Sequence, residues 1–290
     1  MIEKIGSYQV VDLPADRRAM SGFLDLASGK HRMYALLEVD VTVARQFLEV
    51  HKAQTGESLS FTGYLAFCLA RAVDEDKAVQ AYRKGGKQLV MFEDVDVGIM
   101  IEQRRGEKRV LTGHVIRGAN HKTFQEIHQE IRSVQSNQAP ASAESAPWFQ
   151  SAMLLPWPLS KWFNALARMA MRRDPTILTS MAGTVGISSV GMFGKDHSGW
   201  GISTGTHVLD LTVGSMAWKP AVVDGRIEPR QILNLTVVFD HEVIDGAPAA
   251  RFTHRLVELI ESGCDLSRKI NRDLDEPVPY HAVGCGHIHV

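Results

Sequence analysis

Residues 237–252 read VVFDHEVIDGAPAARF. A β-branched run ends in Asp240-His241, and Asp245-Gly246 follows before an alanine-rich amphipathic segment. The run predicts a strand, the segment a helix, and the histidine stands at their junction. Imidazole titrates near neutrality, so a histidine held at a strand end and projecting into a cleft suits proton abstraction. Asp245 is placed to fix the turn, and Gly246 to ease entry into the helix. Spacing alone leaves two readings open, a general base or a surface turn with an incidental histidine.

The elements that must position this histidine follow from periodicity. MYALLEVDVTV (33–43) alternates like a strand, and VARQFLEVHKAQTG repeats apolar residues at helical spacing up to a stop at Gly56. SLSFTGYLAFCLARAVDEDKA (58–78) predicts a buried helix. Residues 88–103 and 108–118 read as strands, and 121–134 as an amphipathic helix with Phe124, Ile127 and Ile131 on one face. Residues 135–147 are small, polar and proline-containing, which predicts a loop or linker. A Trp-rich segment with a basic end follows at 148–175. Strands are expected at 183–191 and 207–218, a hairpin with its turn at Asp224-Gly225 over 221–240, and a closing helix from about 247 to 261. Strands and helices intermix without regular βαβ alternation, which points to an α+β sheet with packed helices.

The bulk numbers remove some classes. The chain has 290 residues, 44% of them hydrophobic, enough for one large domain or two modest ones. A net charge of −1, from 32 basic and 33 acidic residues, offers nucleic acid no basic excess. Cys68, Cys264 and Cys285 are too few and unpatterned for a disulfide framework, which fits a reduced cytoplasm. Neither a signal-peptide layout nor a membrane-length apolar run is present.

The stretch DHEVIDGAPAARF resembles the end of the catalytic domain of dihydrolipoyl acyltransferases, the core subunits of 2-oxoacid dehydrogenase complexes. LLEVDVTVARQFLEVHK, LSFTGYLAFCLARAV, FEDVDVGIMIE, GHVIRGANHKTFQEIHQEIR, GTVGISSVGMFG and TVGSMAWKPAVVDGRI match successive segments of that family in order, from about residue 8 to 262 with a break at 135–180. The resemblance implies a chloramphenicol acetyltransferase-like mixed sheet with packed helices. It makes His241 the base that takes a proton from the thiol of CoA or of a dihydrolipoyl arm. It makes Ser188 the hydrogen-bond donor to the tetrahedral oxyanion, with Ser189 the alternative if the register slips. Asp245 would fix the histidine loop through an ion pair with Arg17 or Arg18. The implied site lies between subunits of a homotrimer or higher oligomer, so a monomer should be inactive.

The chain also departs from the family. It begins where the catalytic domain begins, so no covalently bound lipoyl group is expected; CoA would enter as the acyl-CoA substrate and a lipoyl arm would come from a separate protein. DEDKA (74–78) falls at a helix end, unlike a lipoylation site. Glu242 replaces the arginine after the histidine and is expected to face solvent. WGISTGTHVL (200–209) replaces an apolar stretch near the acyl and lipoyl path. Residues 135–180 form an atypical insert in a catalytic domain spanning 1–265, followed by a tail at 266–290. The 148–175 segment is expected to pack on its own domain; a channel lid, a subunit contact and, last, a membrane-surface element are the alternatives.

Other clusters are weaker. His281, Cys285, His287 and His289 fit no strong zinc pattern, so no metal site is expected. KGGK (84–87) is a turn, Asp94 and Asp96 are expected on the polar face of a strand, and His114 reads as a satisfied strand histidine. The expectation is therefore a CoA-dependent acyltransferase acting on a thiol acceptor. An O- or N-acyltransferase on a small molecule and a non-catalytic trimeric scaffold stand as alternatives.

Overall fold

Alternation along the longest strand explains the layering. In the computed structural model, Leu233, Leu235, Val237 and Phe239 are buried in the hydrophobic core, while Asn234, Thr236 and Val238 between them, and Asp240 after them, point to the opposite face. The structure describes residues 30–105, 108–140, 159–189 and 198–263, with 9–12, 14, 17, 21, 24 and 266 as isolated positions. The elements are β1 (Arg32–Asp40), α1 (Thr42–Thr55), α2 (Phe61–Glu75), β2 (Tyr82–Lys84), β3 (Gln88–Val90), β4 (Val97–Arg105), β5 (Lys108–Ile116), α3 (Phe124–Gln135), α4 (Leu159–Arg173), α5 (Thr176–Ala182), β6 (Val185–Ser189), β7 (Leu209–Val223), β8 (Arg226–Asp240) and α6 (Gly246–Ser262).

Six strands form one mixed sheet in the order β1-β8-β7-β6-β4-β5, and β2 and β3 make a separate hairpin. β6 lies parallel to both β4 and β7, and the remaining neighbours are antiparallel. Helices α1, α2, α3 and α6 pack together and against the sheet. Phe239 meets Phe252 of α6 edge-on, and Tyr64 of α2 meets Phe124 of α3 in the same way. This is the α+β architecture expected from the sequence.

Local chemistry sets the element ends. The Ser60 hydroxyl accepts from the Gly63 N–H, Thr123 and Glu126 form a reciprocal capping box, and Gly56 ends α1 at φ 77°. Asp224 and Gly225, both at positive φ, turn a hairpin whose arms run 15 residues each, so the strand expected at 207–218 and the hairpin expected at 221–240 are one unit. Asp94 and Asp96 precede β4 and are not on a strand; Asp96 accepts from the Gly118 N–H and pairs with Arg117 at 2.6 Å. His114 is a satisfied strand histidine, 2.9 Å from Glu130. KGGK forms the β2–β3 turn, and Lys77 of DEDKA is held by Glu93 just past the end of α2. Residues 141–158, Cys264, Cys285 and the His281–His289 cluster lie outside the described residues.

Candidate active site

β8 delivers His241. Asp240 ends the strand, its N–H donating to the Val208 carbonyl, and the His241 N–H donates to the His31 carbonyl at 2.7 Å. Two turns of chain then lead into α6, anchored by the buried Ile244, Ala249 and Phe252. The imidazole is 49% exposed, with Nδ1 3.8 Å from Asp245. The ring is thus pinned through its backbone and open to a reactant.

Ser188 sits on β6 beside Thr212 of β7. Val185 and Ile187 are in the core, so Gly186 and Ser188 face the opposite side of the sheet. Among the described residues nothing hydrogen-bonds the Ser188 hydroxyl, which leaves it available as a donor. Thr212 pairs with Thr236, four residues before Asp240. Ser188 is therefore about 16 Å from His241 along the strands and two strands away across the sheet. One chain does not bring the two side chains together. Of two concavities, one is lined by Asp94, Asp96, Arg117 and Thr176 and the other by Glu57, His128 and Arg132; neither includes His241 or Ser188.

Three expectations need correction. Asp245 makes no ion pair with an arginine among the described residues. Its side chain is 87% exposed and meets only His241, and Arg17 is exposed while Arg18 lies outside the described residues. Asp245 occupies the N-cap position of α6 without capping it. Asp245→Ala should therefore shift the melting temperature by no more than about 2 °C, as scanning calorimetry can check. Glu242 does not simply face solvent: it pairs with Arg83 at 2.5 Å and with His31 at 3.0 Å, tying the histidine turn to the β2–β3 hairpin. Burial opposes ionisation of Glu242, but the hydrogen bonds from Arg83 and His31 outweigh it and hold its carboxyl below the usual range. Gly246 has neither positive φ nor crowding at its Cβ position, so glycine is not required there.

A buried charged cluster beneath this turn was not foreseen. His207 Nδ1 lies 2.7 Å from Asp210 Oδ1, and Nε2 lies 3.0 Å from the Ala182 carbonyl. Both ring nitrogens are therefore engaged with oxygen partners. Asp210 Oδ2 accepts the Thr206 and His207 N–H groups. Arg32, in register with Asp240, donates to the His207 and Gly205 carbonyls at 2.5 and 2.9 Å, and Lys30 donates to the Thr206 carbonyl. A Cβ at Gly186 would collide with both Asp210 and His207, so that glycine makes room for the pair. Burial, then Arg32, pulls the Lys30 ammonium down to about 8 against Asp240, Asp210 and Glu242.

The cluster clamps one end of a strap, residues 198–207, that crosses the sheet face opposite the core. Asn234 Nδ2 donates to the Ser198 hydroxyl, Trp200 Nε1 donates to the Leu37 carbonyl, and Ser203 bonds Thr212, the register neighbour of Ser188. The available signal was a histidine and an aspartate three residues apart in a segment otherwise reading as an apolar strand.

The clamp has a stability consequence. Burial disfavours the charged form of Asp210, but the electrostatic pull and hydrogen bonds of His207, and then Arg32, outweigh it and hold the carboxyl at about 2. A carboxyl depressed below its unfolded value contributes stability above roughly pH 4, lost as pH falls toward 2. Asp210→Asn should cost roughly 3–5 kcal/mol at pH 7, because it removes the carboxylate that the buried His207 ring, two backbone N–H groups and Arg32 all face. Denaturant melts should show that deficit shrinking between pH 4 and 2.

The family model for the 2-oxoacid dehydrogenases acyltransferase catalytic domain matches residues 6–144 and 152–266. The chain belongs to this family. A lipoamide acyltransferase component of a branched-chain alpha-keto acid dehydrogenase complex from Bacillus subtilis is 24% identical over 79% of the chain and 46% of the relative. Its Pseudomonas putida counterpart is 34% identical over 35% of the chain and 25% of the relative. The chain thus spans less than half the length of these curated relatives. Among solved structures, the cubic core of a pyruvate dehydrogenase multienzyme complex superposes with a TM-score of 0.63 at 20% identity, covering 91% of this chain and 99% of the other. The dihydrolipoamide acetyltransferase of Azotobacter vinelandii, studied for the roles of a serine, a histidine and an asparagine in its catalytic mechanism, gives 0.63 at 21% identity over the same shares. These likenesses establish a shared fold. Among the described residues, no helix is long and apolar enough to cross a membrane.

Proposed function

We propose that this chain is a CoA-dependent acyltransferase whose acceptor is a thiol, in the first instance a dihydrolipoyl arm on a separate protein. The observation that carries the reading is His241, pinned by its backbone at the strand end and half-open, in a chain of the acyltransferase family. The imidazole takes the proton of the acceptor thiol. The thiolate attacks the thioester carbonyl, and the Ser188 hydroxyl donates to the oxygen that becomes negative. Collapse of the tetrahedral intermediate breaks the carbon–sulfur bond to CoA, and the departing thiolate recovers the proton from His241. The histidine and asparagine studied in the Azotobacter enzyme stand four positions apart, the spacing of His241 and Asp245. That supports a role for Asp245 in orienting the ring, in place of the buried ion pair.

The separation of Ser188 from His241 supports a site completed by a neighbouring subunit. So does the sheet face opposite the core, where Tyr34 and Leu36 of β1 are exposed and the exposed Trp200 is bonded to the Leu37 carbonyl of the same strand. A homotrimer is the assembly that the family resemblance implies. The catalytic unit would span residues 1–265, in a cytoplasmic protein, with the remaining residues as a tail.

The test is release of CoA thiol from a panel of acyl-CoAs, with free dihydrolipoamide or a small hydroxyl compound as acceptor. Transfer to dihydrolipoamide that requires His241 supports the reading. Transfer to the hydroxyl acceptor alone moves the protein to small-molecule O-acylation, and no transfer from any donor contradicts an enzymatic role.

A further inference from the structure

Helix α4 carries its apolar stripe outward. Leu159, Trp162, Leu166 and Met169 recur at spacings of three and four, which aligns them along one side of a helix. All four are exposed, Trp162 at 77% and Leu166 at 65%. The side turned to the protein includes the buried Asn164. The helix is fastened at its C-terminal end, where the Gly85 N–H of the β2–β3 turn donates to the Arg172 carbonyl at 2.8 Å. The described part of the segment packs on its own domain, through α5 and β2, and still leaves that stripe exposed.

The charge on the helix itself has one sign, and the exposed Asp174 follows directly after it. α4 contains Lys161, Arg168, Arg172 and Arg173 and no acidic residue. Arg173 continues the stripe one turn past Met169. The bond to Gly85 brings the turn bearing the exposed Lys84 and Lys87 to the same end. Apolar anchors in a row, with the cations Arg172, Arg173, Lys84 and Lys87 outnumbering the adjacent Asp174 at one end, match the boundary layer of an anionic bilayer, where rings and aliphatic chains enter the acyl edge and Lys/Arg meet lipid phosphates. At 15 residues the helix is about 22 Å long, too short to span a bilayer but sufficient to lie in its surface.

We propose that α4 docks the protein on anionic phospholipid surfaces, lying in the interface plane with Trp162 and Leu166 inserted. The proposal does not depend on the acyltransferase reading. The experiment is co-sedimentation of the full chain with vesicles of pure phosphatidylcholine and of an equimolar mixture with phosphatidylglycerol. Binding is expected to the anionic vesicles only and to weaken with salt. It should fall roughly tenfold or more in Arg172→Glu/Arg173→Glu and also in Trp162→Ser/Leu166→Ser. The altered side chains of the second variant are exposed, so its melting temperature should match the parent's and loss of binding cannot be ascribed to unfolding. Recovery of the parent in the supernatant with both vesicle types would overturn the proposal. So would undiminished binding by both variants. A change in oligomeric state of Trp162→Ser/Leu166→Ser, without vesicle binding by the parent, would make the stripe a contact between copies instead.

Discussion

His241→Ala is expected to lose acyl transfer from CoA by roughly 10²- to 10⁴-fold, the range that a positioned general base supplies. Its melting temperature should stay within about 2 °C of the parent, because the ring is half-exposed and the turn is held by backbone hydrogen bonds that alanine keeps. Ser188→Ala should fall by roughly 10²- to 10³-fold, the cost of one oxyanion donor. Stopped-flow thiol release, with calorimetry on the same preparations, checks both. A His241→Ala protein that turns over at the parental rate would remove the base from the mechanism.

The second large effect concerns assembly. Leu36 lies on the edge strand β1, on the sheet face opposite the core, and is exposed in the single chain. Leu36→Asp should leave the protomer folded, since no core contact is lost, but place a charge in the proposed subunit contact. Light scattering should show the parent as a trimer and the variant as a monomer. Transfer activity should disappear with the oligomer, because Ser188 and His241 of one chain are too far apart to act on one thioester. A monomeric variant with full activity would show that a single chain completes its own site.

How much of this was legible beforehand depended on what each pattern encodes. The strand ending in Asp240, the turn bearing His241 and helix α6 follow from β-branching, the Asp-Gly pair and helical spacing, all local signals. The layering was legible too, because alternation in β8 separates Leu233, Leu235, Val237 and Phe239 from Asn234, Thr236 and Asp240. What a face meets is not local. Glu242 reads as a surface residue until β2 folds back to place Arg83 against it, 159 residues away in sequence. Arg32 and Asp210 are unremarkable charges in their own strands. They become a buried clamp only because β1, β8, β7 and β6 are neighbours in the sheet. The amphipathic spacing of α4 was visible, but its direction was not, since periodicity defines a stripe without saying which way it turns.

One measurement tests most directly the claim that two subunits complete a histidine–serine site for thioester exchange. His241→Ala and Ser188→Ala proteins, each inactive, are denatured together in equal amounts, refolded as mixed oligomers and assayed for acyl transfer from CoA. In a cyclic trimer with random mixing, about one site in four receives an intact His241 from one subunit and an intact Ser188 from its neighbour. The account predicts recovery of about a quarter of the parental rate. Refolded trimers no more active than the separate variants would contradict it.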